Sequence, residues 1–93
     1  MQQLTENLIR DRIGNLKGWS LDRNSIVKEF ELKNFSDAIA FILKIGIQAE
    51  KMDHHPDLLL HGWNKVKVNL STHSAGGITE NDFNLAQQIE KID

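Results

Sequence analysis

The sequence contains no cysteine, no tyrosine and a single proline, Pro56. Without cysteine the chain has no disulfide bonds, no thiolate metal ligands and no thiol nucleophile. It also has no long basic run, and its formal net charge of −2 at pH 7 argues against nucleic acid as the main partner. The longest apolar-rich stretch, residues 38–49, is too short to span a bilayer and contains Lys44 and Gln48. No signal peptide is visible, so we expect a cytoplasmic protein with no membrane partner.

What the sequence does contain is typical of one small globular domain. Hydrophobic residues make up 40% of the 93 residues and charged residues 26%, a balance found in folded soluble proteins. We therefore predict a single domain spanning residues 1–93. A core this small is only marginally stable alone, so association with another chain would help it.

Hydrophobic periodicity and turn residues predict the order helix, two strands, helix, two strands, helix. The predicted strands are residues 19–21, 25–32, 57–60 and 63–70. Their alternation and the short turns between them indicate hairpins rather than parallel crossovers. The sequence therefore predicts an α+β fold, with a four-stranded antiparallel sheet and three helices packed on one face.

Capping residues define the starts of the three predicted helices. Thr5, Ser36 and Thr79 are the predicted N-caps, and Asp82 completes a capping box with Thr79. The second helix should run to about Met52, where the approach of the proline ends it.

The second helix is apolar on nearly its whole circumference. Ile39, Leu43 and Ile47 form a set apart from the apolar residues on its other side. A helix that is apolar all round should be buried on more than one side, and its own sheet covers one side only. We therefore expect a homo-oligomer in which this helix contacts another copy.

Polar residues with possible chemical roles follow that helix directly. Asp53, His54 and His55 lie between its end and Pro56, which favours an extended backbone at His55. An imidazole can donate or accept a proton near neutral pH. Taken alone, however, two adjacent histidines are better explained by a solvated loop.

A third histidine lies where the predicted topology brings it near this segment. His73 lies at the end of the fourth strand, in a small-residue loop, residues 71–77, that could wrap a ligand. Antiparallel neighbours would let the three histidines converge on one cleft, which suits proton transfer to a small polar ligand. Trp19 and Trp63 could supply a flat wall for a planar ring.

A metal site is another interpretation of these polar residues. Three imidazoles and a carboxylate could bind zinc or iron. No local ligand spacing supports this, and adjacent residues in an extended chain, such as His54 and His55, point to opposite sides. We therefore expect no metal. Capping alone could explain Asp82, and His61 is most simply a surface turn residue.

The combined motif resembles one known family, the pterin-4a-carbinolamine dehydratases. The resemblance is carried by Glu50–Asp57, which contains His-His-Pro, and by Trp63–Val66, Leu70–His73, Gly77–Glu80 and Asp82. It covers most of the chain and is strongest between Ala49 and Ala86. Residues 57–63 are one residue longer than in animal members, and Asn81 stands where a basic residue is expected.

The resemblance implies an α+β homodimer or homotetramer that is a hydro-lyase, with no metal or organic cofactor. Its reaction is the dehydration of 4a-hydroxytetrahydropterin to quinonoid dihydropterin, which recycles the cofactor of aromatic amino acid hydroxylases.

The resemblance also implies roles for individual residues. His54 and His73 are general-acid candidates, and His55 would hold the pterin and help as a base. Glu50 and Asp53 would orient the imidazoles at the substrate site. The other implied substrate contacts are Trp63, Ser71, Thr72 and Asp82.

Two alternatives follow from the same family. Animal members also act as dimerisation partners of a transcription factor, so a protein-binding coactivator module is one. A relative acting on another pterin, as in molybdopterin metabolism, is the other. The presence of all three histidines favours catalysis.

Overall fold

A computed structural model describes residues 2–92. These residues form α1 (Glu6–Gly14), β1 (Ser20–Asp22), β2 (Ser25–Glu31), α2 (Phe35–Met52), β3 (Asp57–His61), β4 (Lys65–Leu70) and α3 (Glu80–Glu90). The strands form one antiparallel sheet in the order β1-β2-β4-β3. The predicted α+β fold with a four-stranded antiparallel sheet and three helices is confirmed. None of the helices within residues 2–92 has the length and apolar character needed to cross a membrane.

The register of β3 against β4 determines which loops meet. Asp57 at the start of β3 pairs with Asn69 near the end of β4, and His61 pairs with Lys65 at the opposite end. The segment before β3 and the segment after β4 therefore lie at the same end of the sheet. Both carry the predicted site histidines.

One face of the sheet is buried beneath the helices. Alternate residues of β4, Val66, Val68 and Leu70, are fully buried, as is Ile26 of β2, while Lys67 and Glu29 face solvent. From the helices, the same core receives Ala38, Ile45, Phe83, Leu85 and Ile89. Fully burying one such large side chain contributes about 1.5–3 kcal/mol. The alternation seen in the sequence thus sets which face the helices cover.

The capping predictions are confirmed at α1 and α3 and wrong at α2. Thr5 caps α1, and Thr79 with Asp82 forms the capping box of α3. The N-cap of α2 is Asn34, whose side-chain oxygen accepts a hydrogen bond from the Asp37 N–H at 2.8 Å. Ser36 lies inside the first turn. Asparagine and serine are both good N-caps, so residue type alone did not distinguish Asn34 from Ser36.

Strand β4 begins later than predicted. Gly62 and Trp63 both adopt the left-handed conformation, with φ of 54° and 60°, so they form the turn between β3 and β4. Asn64 is buried, and its side chain donates to the Leu32 carbonyl at 3.0 Å. Trp63 is consequently a turn residue, and the first strand residue is Lys65.

Helix α2 has two apolar faces with different surroundings. Ala38 and Ile45 are fully buried, whereas Ile39, Leu43 and Ile47 are 43%, 64% and 57% exposed. The prediction that the sheet covers only one side of this helix is confirmed for the single chain.

Candidate active site

The end of α2 turns the chain so that the two adjacent histidines face opposite ways. Asp53 is in the left-handed conformation, with φ of 50°, which a short polar residue tolerates. The His54 N–H then bonds the Ala49 carbonyl at 3.0 Å. His54 is 7% exposed, while His55 lies at the surface. The expected opposite orientation of the two rings is confirmed.

The His54 ring is held by a buried carboxylate. Its Nε2 lies 2.5 Å from Asp82 Oδ1, and Asp82 is completely buried. Asp82 Oδ2 accepts hydrogen bonds from the Thr72 hydroxyl and from the Thr79 N–H, each at 2.9 Å. The capping carboxylate of α3 therefore also binds a histidine that comes from the end of α2.

Thr72 links this network to the end of β4. Its hydroxyl lies 2.7 Å from the Thr79 hydroxyl, and its N–H bonds the Gly77 carbonyl at 2.9 Å. Thr72 is buried, so neither its side chain nor that of Asp82 is presented to a ligand. Ser71, the preceding residue, is half-buried and lies at the same end of the sheet.

The two other site histidines are exposed. His73 follows Thr72 directly and begins a short 3-10 turn, His73–Ala75; its ring has no hydrogen-bond partner among residues 2–92. His55 Nε2 lies 2.7 Å from Glu50 Oε1, and both groups are exposed. An exposed pair of this kind contributes little to the free energy of folding, so stability alone does not explain why His55 and Glu50 are paired.

The structure brings together most, but not all, of the predicted site residues. The start of β3, the end of β4 and the start of α3 meet at one end of the molecule. That end holds His54, His55, His73, Glu50, Asp53, Ser71, Thr72 and Asp82.

The two tryptophans do not form a wall at this site. Trp63 is 60% exposed in the β3–β4 turn, a strand length of about 20 Å from Ser71. Trp19 is buried in the core, where its indole N–H donates to Glu90 Oε2 at 2.9 Å. The hypothesis that both supply a flat surface for one ring is therefore wrong within a single chain.

The carboxylate that orients a buried imidazole is also not the one expected. Asp53 was predicted to orient a ring, yet it forms the helix-ending turn, and Asp82 binds His54 instead. Glu50 does bind a ring, that of His55. The capping-box spacing pointed to Asp82 but did not reveal its second partner, which lies 28 residues away in the chain.

The remaining polar clusters lie elsewhere. His61 bonds Glu29 on the solvent face of the sheet. Within residues 2–92, no group of three or more histidine, aspartate or glutamate side chains is arranged to hold a metal ion.

Two hollows border the core, and only the second is lined by a residue of the candidate site. One, of about 340 Å³, lies beside Phe30, Phe41 and Ile89 and is remote from the histidines. The other is an open apolar depression of about 660 Å³ between α2 and β3, which reaches Glu50.

What this arrangement offers chemically is proton transfer. One imidazole is fixed by a buried carboxylate, and two others are open to solvent. Side chains of this type donate and accept protons near neutral pH.

Comparison with known proteins places this geometry in a family. The family described as "Pterin 4 alpha carbinolamine dehydratase" matches residues 2–92. A Sulfolobus acidocaldarius protein, provisionally named as such a dehydratase, is 49% identical over 97% of this chain and 98% of its own. A similarly named Roseiflexus protein is 44% identical over 97% of this chain and 96% of its own.

One solved structure agrees with this assignment, and a more distant one shares the fold. The crystal structure of a "transcriptional coactivator/pterin dehydratase" from Brucella melitensis has a TM-score of 0.90 and 35% identity, covering 96% of each chain. A pterin dehydratase-like RuBisCO assembly factor of the alpha-carboxysome shares the fold, with a TM-score of 0.61 and 18% identity over 77% of this chain and 82% of its own. The chain belongs to the pterin 4 alpha carbinolamine dehydratase family.

Proposed function

We propose that the protein is a hydro-lyase that dehydrates 4a-hydroxytetrahydropterin to quinonoid dihydropterin by histidine acid–base catalysis. One observation carries the proposal: a carboxylate-held His54 lies at the same end of the sheet as the exposed rings of His55 and His73. Family membership supplies the substrate class, a pterin carbinolamine.

The reaction needs an acid and a base and no redox partner. The C4a–O bond breaks as an acid protonates the hydroxyl, which leaves as water. A base removes the N5 proton, and the electrons of that N–H bond form the N5–C4a double bond. His54 and His73 are the proposed acids. His55, with Glu50 at 2.7 Å, is the proposed pterin-holding residue and auxiliary base.

The proposed substrate contacts are the accessible groups around these rings. Ser71 and Asp53 lie at the same end of the sheet and are not fully buried, so they can reach the pterin edge. The product would be reduced back to the tetrahydropterin used by aromatic amino acid hydroxylases. We propose that the reaction takes place in the cytoplasm.

A protein-binding role is a second candidate, favoured by the exposed apolar face of α2. Ile39, Leu43 and Ile47 present three large side chains to solvent. The related Brucella protein is described as a transcriptional coactivator as well as a dehydratase. We propose that this face forms a homodimer or homotetramer, which is compatible with catalysis in the same molecule.

The decisive experiment is a dehydration assay with the purified protein. The substrate, 4a-hydroxytetrahydropterin, is generated enzymatically, and its loss is followed with and without the protein. We expect acceleration over the spontaneous reaction that increases in proportion to protein concentration. No acceleration at any concentration would refute the enzymatic function and leave the protein-binding role as the better explanation.

A further inference from the structure

The hydrogen bonds around Asp82 have a direction that can be worked out. A threonine hydroxyl carries one proton. Thr72 donates its proton to Asp82 Oδ2, so the 2.7 Å contact between the two threonine oxygens uses the proton of Thr79. Thr79 Oγ1 in turn accepts from the Asn81 N–H. In this arrangement the Thr79 hydroxyl donates to Thr72, and the Thr72 hydroxyl donates to Asp82.

The contact between Asp82 and His54 also needs a hydrogen-bond donor, and the His54 ring supplies it. Asp82 Oδ2 already accepts two hydrogen bonds, and Oδ1 faces only His54 Nε2 among its polar contacts within residues 2–92. An ionised carboxylate can only accept hydrogen bonds, so the hydrogen of this contact belongs on the ring nitrogen. His54 therefore carries a hydrogen on Nε2 in both its neutral and its charged form.

The other ring nitrogen is then the one that can change its protonation. Within the described part of the chain, every buried side-chain nitrogen or oxygen has a hydrogen-bond partner. His54 Nδ1 has none there, so the 7% of the residue that is exposed includes Nδ1. The buried side of the ring faces Asp82, and Nδ1 is at the surface, at the end of the sheet that also holds the exposed histidines.

We infer that Asp82 is a positioning residue for His54. Held by Thr72 and Thr79, it fixes the Nε2–H form of the ring and makes Nδ1 the atom that exchanges a proton with the substrate. This inference rests on the proposed function. Asp82 and Thr72 thus act through His54, and their burial keeps both side chains from touching the pterin.

The proton balance follows from this assignment. In the charged ring, Nδ1–H gives its proton to the departing hydroxyl oxygen, which leaves as water. The ring becomes neutral with Nε2–H still bonded to Asp82, and the carboxylate stays ionised throughout. The base takes the N5 proton and returns a proton to His54 Nδ1, directly or by exchange with solvent, so the enzyme regains its starting protonation and water is the only group lost.

Nitrogen NMR tests the inference directly and without substrate. Long-range ¹⁵N–¹H correlation spectra distinguish the two neutral tautomers of each histidine. At a pH where the ring is neutral, His54 should show the Nε2–H pattern. An Nδ1–H pattern, or an average of both forms, would overturn the inference whatever the activity of the protein.

Two substitutions at Thr72 test the positioning with the α3 cap left in place. Thr72→Val removes the hydroxyl but leaves the bond between the Thr79 N–H and Asp82. It should lower kcat by about tenfold or more, up to the roughly 10²–10⁴-fold that a general acid or base contributes. The His54 ring should then populate both neutral tautomers. KM should change by less than about twofold, because substrate contacts are kept. Thr72→Ser restores the hydroxyl and should recover both kcat and the spectrum.

Asp82→Asn and a matched control complete the set. Asp82→Asn should lower kcat more than Thr72→Val does and abolish the fixed tautomer. Glu90→Gln removes a carboxylate from the far end of the same helix, where it bonds Trp19 and Lys28, and should leave the His54 spectrum unchanged. A Thr72→Val variant with raised KM and unchanged kcat would show that Thr72 acts on the substrate, contrary to the inference.

The inference and the proposed function can fail separately. A wild-type protein with the Nε2–H pattern but no dehydratase activity would remove the proposed function and support the positioning of His54 by Asp82. An active protein with the Nδ1–H pattern would support the proposed function and overturn the positioning of His54 by Asp82.

Discussion

His54 and His73 differ in how firmly the fold holds them. His54 is buried against Asp82, whereas His73 lies exposed at the start of a short 3-10 turn. Removing one partner of a buried hydrogen bond typically costs about 1–3 kcal/mol of stability, and more where the group left unpaired is charged. Loss of activity after truncation of His54 would therefore combine chemistry with unfolding, and His73 is the better position for isolating catalysis.

The first prediction concerns His73→Ala. We expect the free energy of unfolding to change by less than about 0.5 kcal/mol, because the ring is exposed. Turnover should fall by about 10²-fold but not vanish, since His54 remains as an acid. Urea denaturation and the dehydration assay measure the two effects. Ser74→Ala, at the exposed neighbouring position, is the control, and undiminished turnover in His73→Ala would exclude His73 from catalysis.

At the scale of elements, α2 positions the site because its end is set by local chemistry. Asp53 terminates the helix in the left-handed conformation, and the turn carries His54 inward. Its start is set by Asn34, which satisfies the Asp37 N–H. The helix is thus defined at one end by a cap and at the other by the residues that become the site.

The second prediction distinguishes the observed cap of α2 from the expected one. Asn34→Ala should lower the free energy of unfolding by about 1 kcal/mol, because it leaves a helix N–H without its partner. In a domain of this size that corresponds to a fall in Tm of about 4–8 °C. Ser36→Ala is the matched control and should change stability by less than about 0.5 kcal/mol. Equal losses in the two variants would contradict the assignment of the cap.

The elements that could be predicted are those with a local signal. Alternation placed Val66, Val68 and Leu70 on the buried face, and the Thr79 capping box located the start of α3. The turn at Trp63 was missed because a tryptophan with positive φ contradicts its usual preference. Each successful prediction needed only a few neighbouring residues.

The features of the site that were missed depend on distance in the chain. The bond between His54 and Asp82 joins residues 28 positions apart, and no local pattern reports it. The placement of Trp63 away from the histidines follows from the register of β3 on β4, which also lies beyond local patterns. The residue types of a proton-transfer site were therefore predictable, while the partner of each residue required the fold.

At the scale of the whole molecule, the main unexplained feature is the uncovered face of α2. Leu43 and Ile47 also line the apolar depression that reaches Leu58 on β3 and Glu50 beside His55. Burying one such large apolar side chain contributes about 1.5–3 kcal/mol, so a partner on this face would strengthen a small core. Because Glu50 is at the edge of the depression, the same partner would cover one side of the His55 pair.

The last prediction tests whether that partner is a second copy. The chain mass is 10.6 kDa, and light scattering at micromolar concentration should give a multiple of it. Ile47→Glu places a charge on the exposed face and should return the mass toward that of one chain, because an unpaired charge is costly to bury. Leu8→Glu is the matched control: Leu8 is a leucine on α1 that is 44% exposed and lies outside the depression. A wild-type protein of 10.6 kDa at these concentrations would show that no second copy covers α2.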